Sequence, residues 1–133
     1  MQPPFGFWRF LPAWSPTVAV LAVIVWLTLG KPPEIDDDIP MWEHADKVVH
    51  ALMFGTLFMV MCFDWYRSHP AAVPRWFGIE VSAFFAWSCV AGAAIEIIQP
   101  SFGRTCDLWD FAADVAGVTL AWILMPRFIK AVR

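Results

Sequence analysis

Four long apolar runs, at about 11–30, 48–66, 76–99 and 108–125, constrain this chain more than any other feature. A bilayer core takes roughly 20 consecutive apolar residues in helical form. A spanning segment must also satisfy its own backbone hydrogen bonds, which a helix does. The chain is 59% hydrophobic and 16% charged, whereas soluble domains carry about 25% charged residues. The reading is an all-α membrane protein: one transmembrane domain over residues 1–133, a bundle of four transmembrane helices. A nucleic-acid binder would gather its basic residues on one face. Here the nine Lys and Arg sit mostly at the ends of apolar runs, which excludes nucleic acid as a partner. Cys62 and Cys89 lie inside apolar runs and read as small buried hydrophobes. Cys106 sits in a polar connector without an activating neighbour.

The ends of the runs carry stop and start signals. Ser15-Pro16 predicts an N-cap and a proline in the first helical turn. Gly30, followed by Lys31-Pro32-Pro33, ends the first helix. From Pro16 that helix is short for a full span, nearer ~15 residues than ~20. A cleaved signal peptide is the competing reading. Its basic region would be Arg9 alone, and no small-x-small cleavage site follows. Asp36-Asp37-Asp38 lacks the alternating ligands and glycine of a calcium loop, so it reads as solvated loop. Pro126 ends the fourth helix.

Alternating the loops across the membrane puts Arg9, Arg67, Arg75, Arg127, Lys130 and Arg133 on one side. Lys31, Lys47 and Arg104 fall on the other. The positive-inside rule then predicts both termini in the cytoplasm. The acidic loop and the Gln99–Asp107 connector would face outward.

On that outer side, three helices deliver polar groups to one depth. Helix two begins with Asp46, Lys47 and His50, and Asp46 and His50 share a face. Helix three ends with Glu96 and Gln99. The connector brings Arg104. Helix four begins with Asp107, Asp110 and Asp114, spaced three and four apart. Ser88 and Gly92 continue the face of Glu96, and Gly117 and Ala121 that of Asp114. Small residues let transmembrane helices approach closely. The polar faces are therefore expected to point into the bundle. An acid at mid-bilayer costs roughly 2.5–3.5 kcal/mol on insertion scales. Pairing with Arg104, Lys47 or protonated His50 would offset this, as would one carboxyl holding its proton. The expected arrangement is a buried network with Arg104 folding down as its cap. Asp107 and Asp110 have a plainer reading as first-turn acids on the helix dipole.

The ordered set Asp46-Lys47-x-x-His50, Glu96-x-x-Gln99 and Arg104-x-x-Asp107-x-x-Asp110-x-x-x-Asp114-x-x-Gly117 resembles the VanZ-like family of small bacterial membrane proteins. Two departures stand out. The family usually has asparagine where this chain has Asp114. Its connector usually reads Pro-Gly just before the arginine, where this chain has QPSFGR. The founding member is associated with resistance to the glycopeptide teicoplanin. The resemblance thus implies a cell-envelope role in the bacterial inner membrane, without implying resistance or naming a reaction.

Three functions compete. The cluster could bind or process an anionic envelope lipid or lipid-linked precursor, with Arg104 and Lys47 on its phosphate or carboxylate. Ligand contacts would come from Asp46, Lys47, His50, Glu96, Gln99, Arg104, Asp107, Asp110 and Asp114. His50, with Asp46 or Glu96 as its partner, would supply acid–base chemistry, and Asp114 is the further catalytic candidate. No nucleophile, metal-ligand set or cofactor motif is spelled out by spacing. Alternatively the cluster only holds the helices together in a structural or accessory protein. A proton-coupled transporter ranks last. Its relay needs polar groups in the inner half too, and only Glu80 of helix three is counted there.

Overall fold

A computed structural model describes residues 5–30 and 44–133. The triplet Asp36–Asp38 and Lys31 lie outside the described residues. The described chain forms α1 (Ser15–Leu29), α2 (Ala45–Ser68), α3 (Ile79–Ile98) and α4 (Leu108–Val132), with 3-10 turns at Gly6–Phe10 and Gln99–Phe102. α2, α4 and α3 with its 3-10 extension are each long and apolar enough to cross a membrane; α1 is apolar but shorter. At 1.5 Å per residue its 15 residues reach about 22 Å against a hydrocarbon core of roughly 30 Å. Large side chains face outward, with Trp26 64%, Trp87 63% and Leu120 58% exposed. Such a surface needs an apolar surround.

The first helix departs from expectation at its start. Residues 11–14 are not helical, and Trp14 turns the chain in the left-handed region (φ 62°). Ser15 does not cap the helix; its hydroxyl donates back to the Pro12 carbonyl at 2.9 Å. The acceptor comes instead from α2. The Thr17 backbone N–H and hydroxyl both donate to Asp64 Oδ2, at 3.0 and 2.7 Å. A carboxylate on the first turn satisfies a free N–H and complements the helix dipole. α1 therefore needs no cap of its own.

α2 and α4 share the most extensive contact in the bundle, a pairing stronger than the α3–α4 hairpin emphasised by the connector. Glycines make it close. A Cβ on Gly117 would lie 2.0 Å from the Ala51 carbonyl oxygen, and one on Gly55 would lie 2.8 Å from the Gly117 carbonyl oxygen. The core behind this contact is Phe54, Phe58, Cys62, Val118, Met125 and Ile129, all fully buried.

α4 also runs past its expected stop and carries Pro126 inside it. Proline removes one N–H and crowds the preceding turn. Membrane helices tolerate this where neighbouring helices pack the break. Met125, Pro126 and Ile129 are buried here.

The ends of the described chain meet. The Phe5 N–H donates to the Arg133 carbonyl at 3.1 Å, and Phe5 is 2% exposed. Both lie at the end of the bundle that holds Asp64. The starts of α2 and α4 and the end of α3 form the opposite end.

Candidate functional site

At that opposite end the three helices bring their polar residues together. His50 enters from the first turns of α2 and is 8% exposed. Its Nδ1 lies 2.9 Å from Asp114 Oδ1 on α4. Its Nε2 lies 3.8 Å from Asp110 Oδ2, and Nδ1 is 3.9 Å from Glu96 Oε1. Asp114 is fully buried. Gly92 of α3 makes room for it, since a Cβ there would stand 2.7 Å from Asp114 Oδ2. The small-residue stripe of α3 thus accommodates a carboxylate as well as a helix.

Lys47 gathers the outer acids. Its Nζ is 3.1 Å from Asp46 Oδ2, 3.3 Å from Asp107 Oδ2 and 3.1 Å from Asp110 Oδ1. Asp107 has two roles. It caps α4, with its Oδ1 accepting the Trp109 N–H at 2.8 Å, and it pairs with Lys47. That N–H, with Lys47 adding to it, holds the Asp107 carboxyl below the usual carboxylate range. Glu96 spans the hairpin: its Oε2 accepts the Asp107 backbone N–H at 3.0 Å. Gln99 lies in the 3-10 turn and is 3% exposed.

Arg104 does not cap the acids. Its Nη2 donates to the Gly30 carbonyl at the end of α1, at 3.3 Å, and it makes no ion pair among the described residues. The glycine at position 103 (φ 77°) follows the 3-10 turn and redirects the chain there. Arg104 nonetheless lines the same open cavity as Asp46, His50, Gln99 and Asp110. This cavity measures about 650 Å³ and is flanked by Leu29 and Phe102.

Several buried oxygens in the cluster have no hydrogen-bond partner among the described residues: Glu96 Oε1, Gln99 Oε1 and Asp114 Oδ2. One ligand atom from each of His50, Glu96 and Asp110 lies within 4.8 Å of the other two. The arrangement can hold a proton between ring and carboxylate, and it can accept a donor or cation at the free oxygens.

A family model described as VanZ/LLP1 matches residues 4–130. This chain belongs to the VanZ/LLP1 family. Neither the curated proteins nor the solved structures include a match. Of the residues that carried the resemblance, α2, α3 and α4 bring Asp46, Lys47, His50, Glu96, Asp107, Asp110 and Asp114 together, while Arg104 stands apart on the cavity wall.

The end of the bundle where Phe5 and Arg133 meet holds a second polar group that sequence reasoning missed. Asp64 on α2 is 1% exposed. Beyond Thr17, it accepts from Arg67 Nη2 at 2.8 Å. Arg67 also donates to the carbonyls of Trp8, Leu11 and Pro12, at 2.9, 2.7 and 3.1 Å. Helix two thus carries a buried acid at this end, where the expectation counted only Glu80 of helix three. The signal was a lone acid inside CFDWY, three residues before an arginine. Both Asp64 oxygens are engaged, so it offers a relay no open position.

Proposed function

We propose that this VanZ/LLP1 protein binds the headgroup of an anionic envelope lipid or lipid-linked precursor in the cavity bounded by α2, the α3–α4 connector and the end of α1. The observation that carries this reading is the contrast between the two basic residues. Lys47 is held by Asp46, Asp107 and Asp110. Arg104 has one long bond to a carbonyl and stands on the cavity wall. A guanidinium placed this way suits bidentate capture of a phosphate or carboxylate. Leu29 and Phe102 offer apolar flanks for the lipid portion. Lys47 becomes the organiser of the acids rather than a phosphate ligand.

His50, with Asp114 behind its Nδ1, is the group suited to exchange a proton with a bound headgroup. Glu96 and Gln99 supply further polar contacts. The inner-membrane location rests on the apolar helices and the family's bacterial envelope setting. The excess of Arg and Lys around the termini supports a cytoplasmic position for both ends and an outward-facing cluster.

A second reading, cluster as glue, is favoured by the cross-helix bonds His50–Asp114, Lys47–Asp110 and Glu96–Asp107. The two separate experimentally. His50→Ala, Glu96→Gln and Arg104→Ala are expected to abolish the envelope phenotype at unchanged expression and folding. Full activity in all three would sink the binding reading. Activity that falls only in step with protein level would favour glue.

A further inference from the structure

Each of three residues in the cluster has one polar atom tied by a neighbour and another left open toward the others. Asp110 gives Oδ1 to Lys47 at 3.1 Å, leaving Oδ2 3.8 Å from His50 Nε2. Glu96 gives Oε2 to the Asp107 N–H at 3.0 Å, leaving Oε1 without a hydrogen bond among the described residues, 3.9 Å from the His50 ring at Nδ1. His50 gives Nδ1 to Asp114 at 2.9 Å, leaving Nε2. His50 and Glu96 are buried, at 8% and 4% exposure. A histidine oriented by a carboxylate on one nitrogen and open on the other is the arrangement that metal sites use to fix the ring.

We propose that His50, Glu96 and Asp110 form a divalent-cation site, with Asp114 orienting His50 and a borderline cation such as zinc as its occupant. The donor set of one imidazole and two carboxylates suits zinc or manganese, whereas calcium and magnesium prefer all-oxygen shells. Local charge agrees. Among the described residues, Lys47 pairs with Asp46, Asp107 and Asp110, and His50 faces Glu96, Asp110 and Asp114, so five acids gather around one lysine and one histidine and carry excess negative charge that a cation would neutralise. Zinc–ligand bonds near 2.1 Å put neighbouring ligand atoms roughly 3.0–3.5 Å apart. The present set lies within 4.8 Å, so a bound zinc would draw the three ligand atoms closer together. The motif hides in sequence because its ligands come from three helices, with no short spacing to mark them. A bound cation would also give an anionic headgroup a second anchor beside Arg104. The site itself does not depend on the lipid reading.

The test uses the full chain in detergent, delipidated, stripped with chelator and titrated with Zn²⁺ by calorimetry. Saturation at one zinc per chain is expected. Affinity should fall at least tenfold in Glu96→Gln and in Asp110→Asn, both near-isosteric. Glu96→Gln keeps an acceptor for the Asp107 N–H. Absence of saturable binding by the native chain overturns the site. So does binding that is unchanged in both variants, which would place zinc on other side chains. Because the titration contains no lipid, its failure leaves the headgroup reading to be judged separately by Arg104→Ala.

Discussion

The two ends of this bundle each bury charge, and they do it differently. At the end that holds Asp64, both of its oxygens are bonded, and Arg67 is spread over that carboxylate and three carbonyls of the N-terminal segment. Among the described residues, the buried side-chain atoms left unpaired there are two guanidinium nitrogens, Arg67 Nε and Arg133 Nε, and no acceptor. At the opposite end Glu96, Gln99 and Asp114 each keep a buried oxygen without a partner among the described residues, beside a cavity. A closed network holds chain segments in place. A buried acceptor left open is unfavourable unless something else fills it. The same bundle thus separates a clasp from a site, and the difference lies in unused valence rather than in the amount of charge.

The contrast can be broken by mutation. Asp64→Ala should have the largest effect on folding. Removing one partner of a buried pair costs about 3–5 kcal/mol, and here it also strips α1 of its first-turn acceptor. A large fall in unfolding temperature in detergent is expected, and a near-native value would show that the clasp is idle. Gly117→Ala comes next. A Cβ 2.0 Å from the Ala51 carbonyl oxygen forces α2 and α4 apart, and overpacking of this kind costs about 1–3 kcal/mol. Glu96→Gln should change stability by under about 1 kcal/mol, because the amide oxygen still accepts the Asp107 N–H. A loss as large as that of Asp64→Ala would erase the distinction between the ends and make the His50 cluster glue.

The smallest effect concerns Asp107 and pH. Its folded-state pKa is lowered, chiefly by the Trp109 N–H. The stabilisation is therefore present above the unfolded carboxylate value near 4 and is lost as pH falls through the lower folded value. Unfolding temperature should show an Asp107-dependent drop only in that acid range. Asp107→Asn, which retains a capping oxygen, should flatten that part of the profile.

Much of the His50 cluster was legible because it obeys helical spacing. Asp46 with His50, Glu96 with Gln99, and Asp107 with Asp110 and Asp114 each share a face, and the hairpin brings the faces together. What escaped depends on long-range partners. Asp64 has no local partner pattern that marks it as a cap, because the Thr17 that uses it lies 47 residues earlier. Ser15 has the chemistry of a cap, but α2 fills that role first. Arg104 was expected over the acids; its reach is set by the end of α1, which no local pattern encodes. Pro126 carries a stop signal that the packing of Met125 and Ile129 overrides. The stripe containing Gly92 was read as helix packing, whereas it also houses the Asp114 carboxylate.

The central proposal is that the cavity beside the His50 cluster binds an anionic headgroup through Arg104. Its most direct measurement is mass spectrometry of the lipids that copurify with the native chain and with Arg104→Ala, at matched folding. The account predicts an anionic lipid or lipid-linked species enriched on the native chain and lost from the variant. Identical lipid profiles for the two proteins would contradict it.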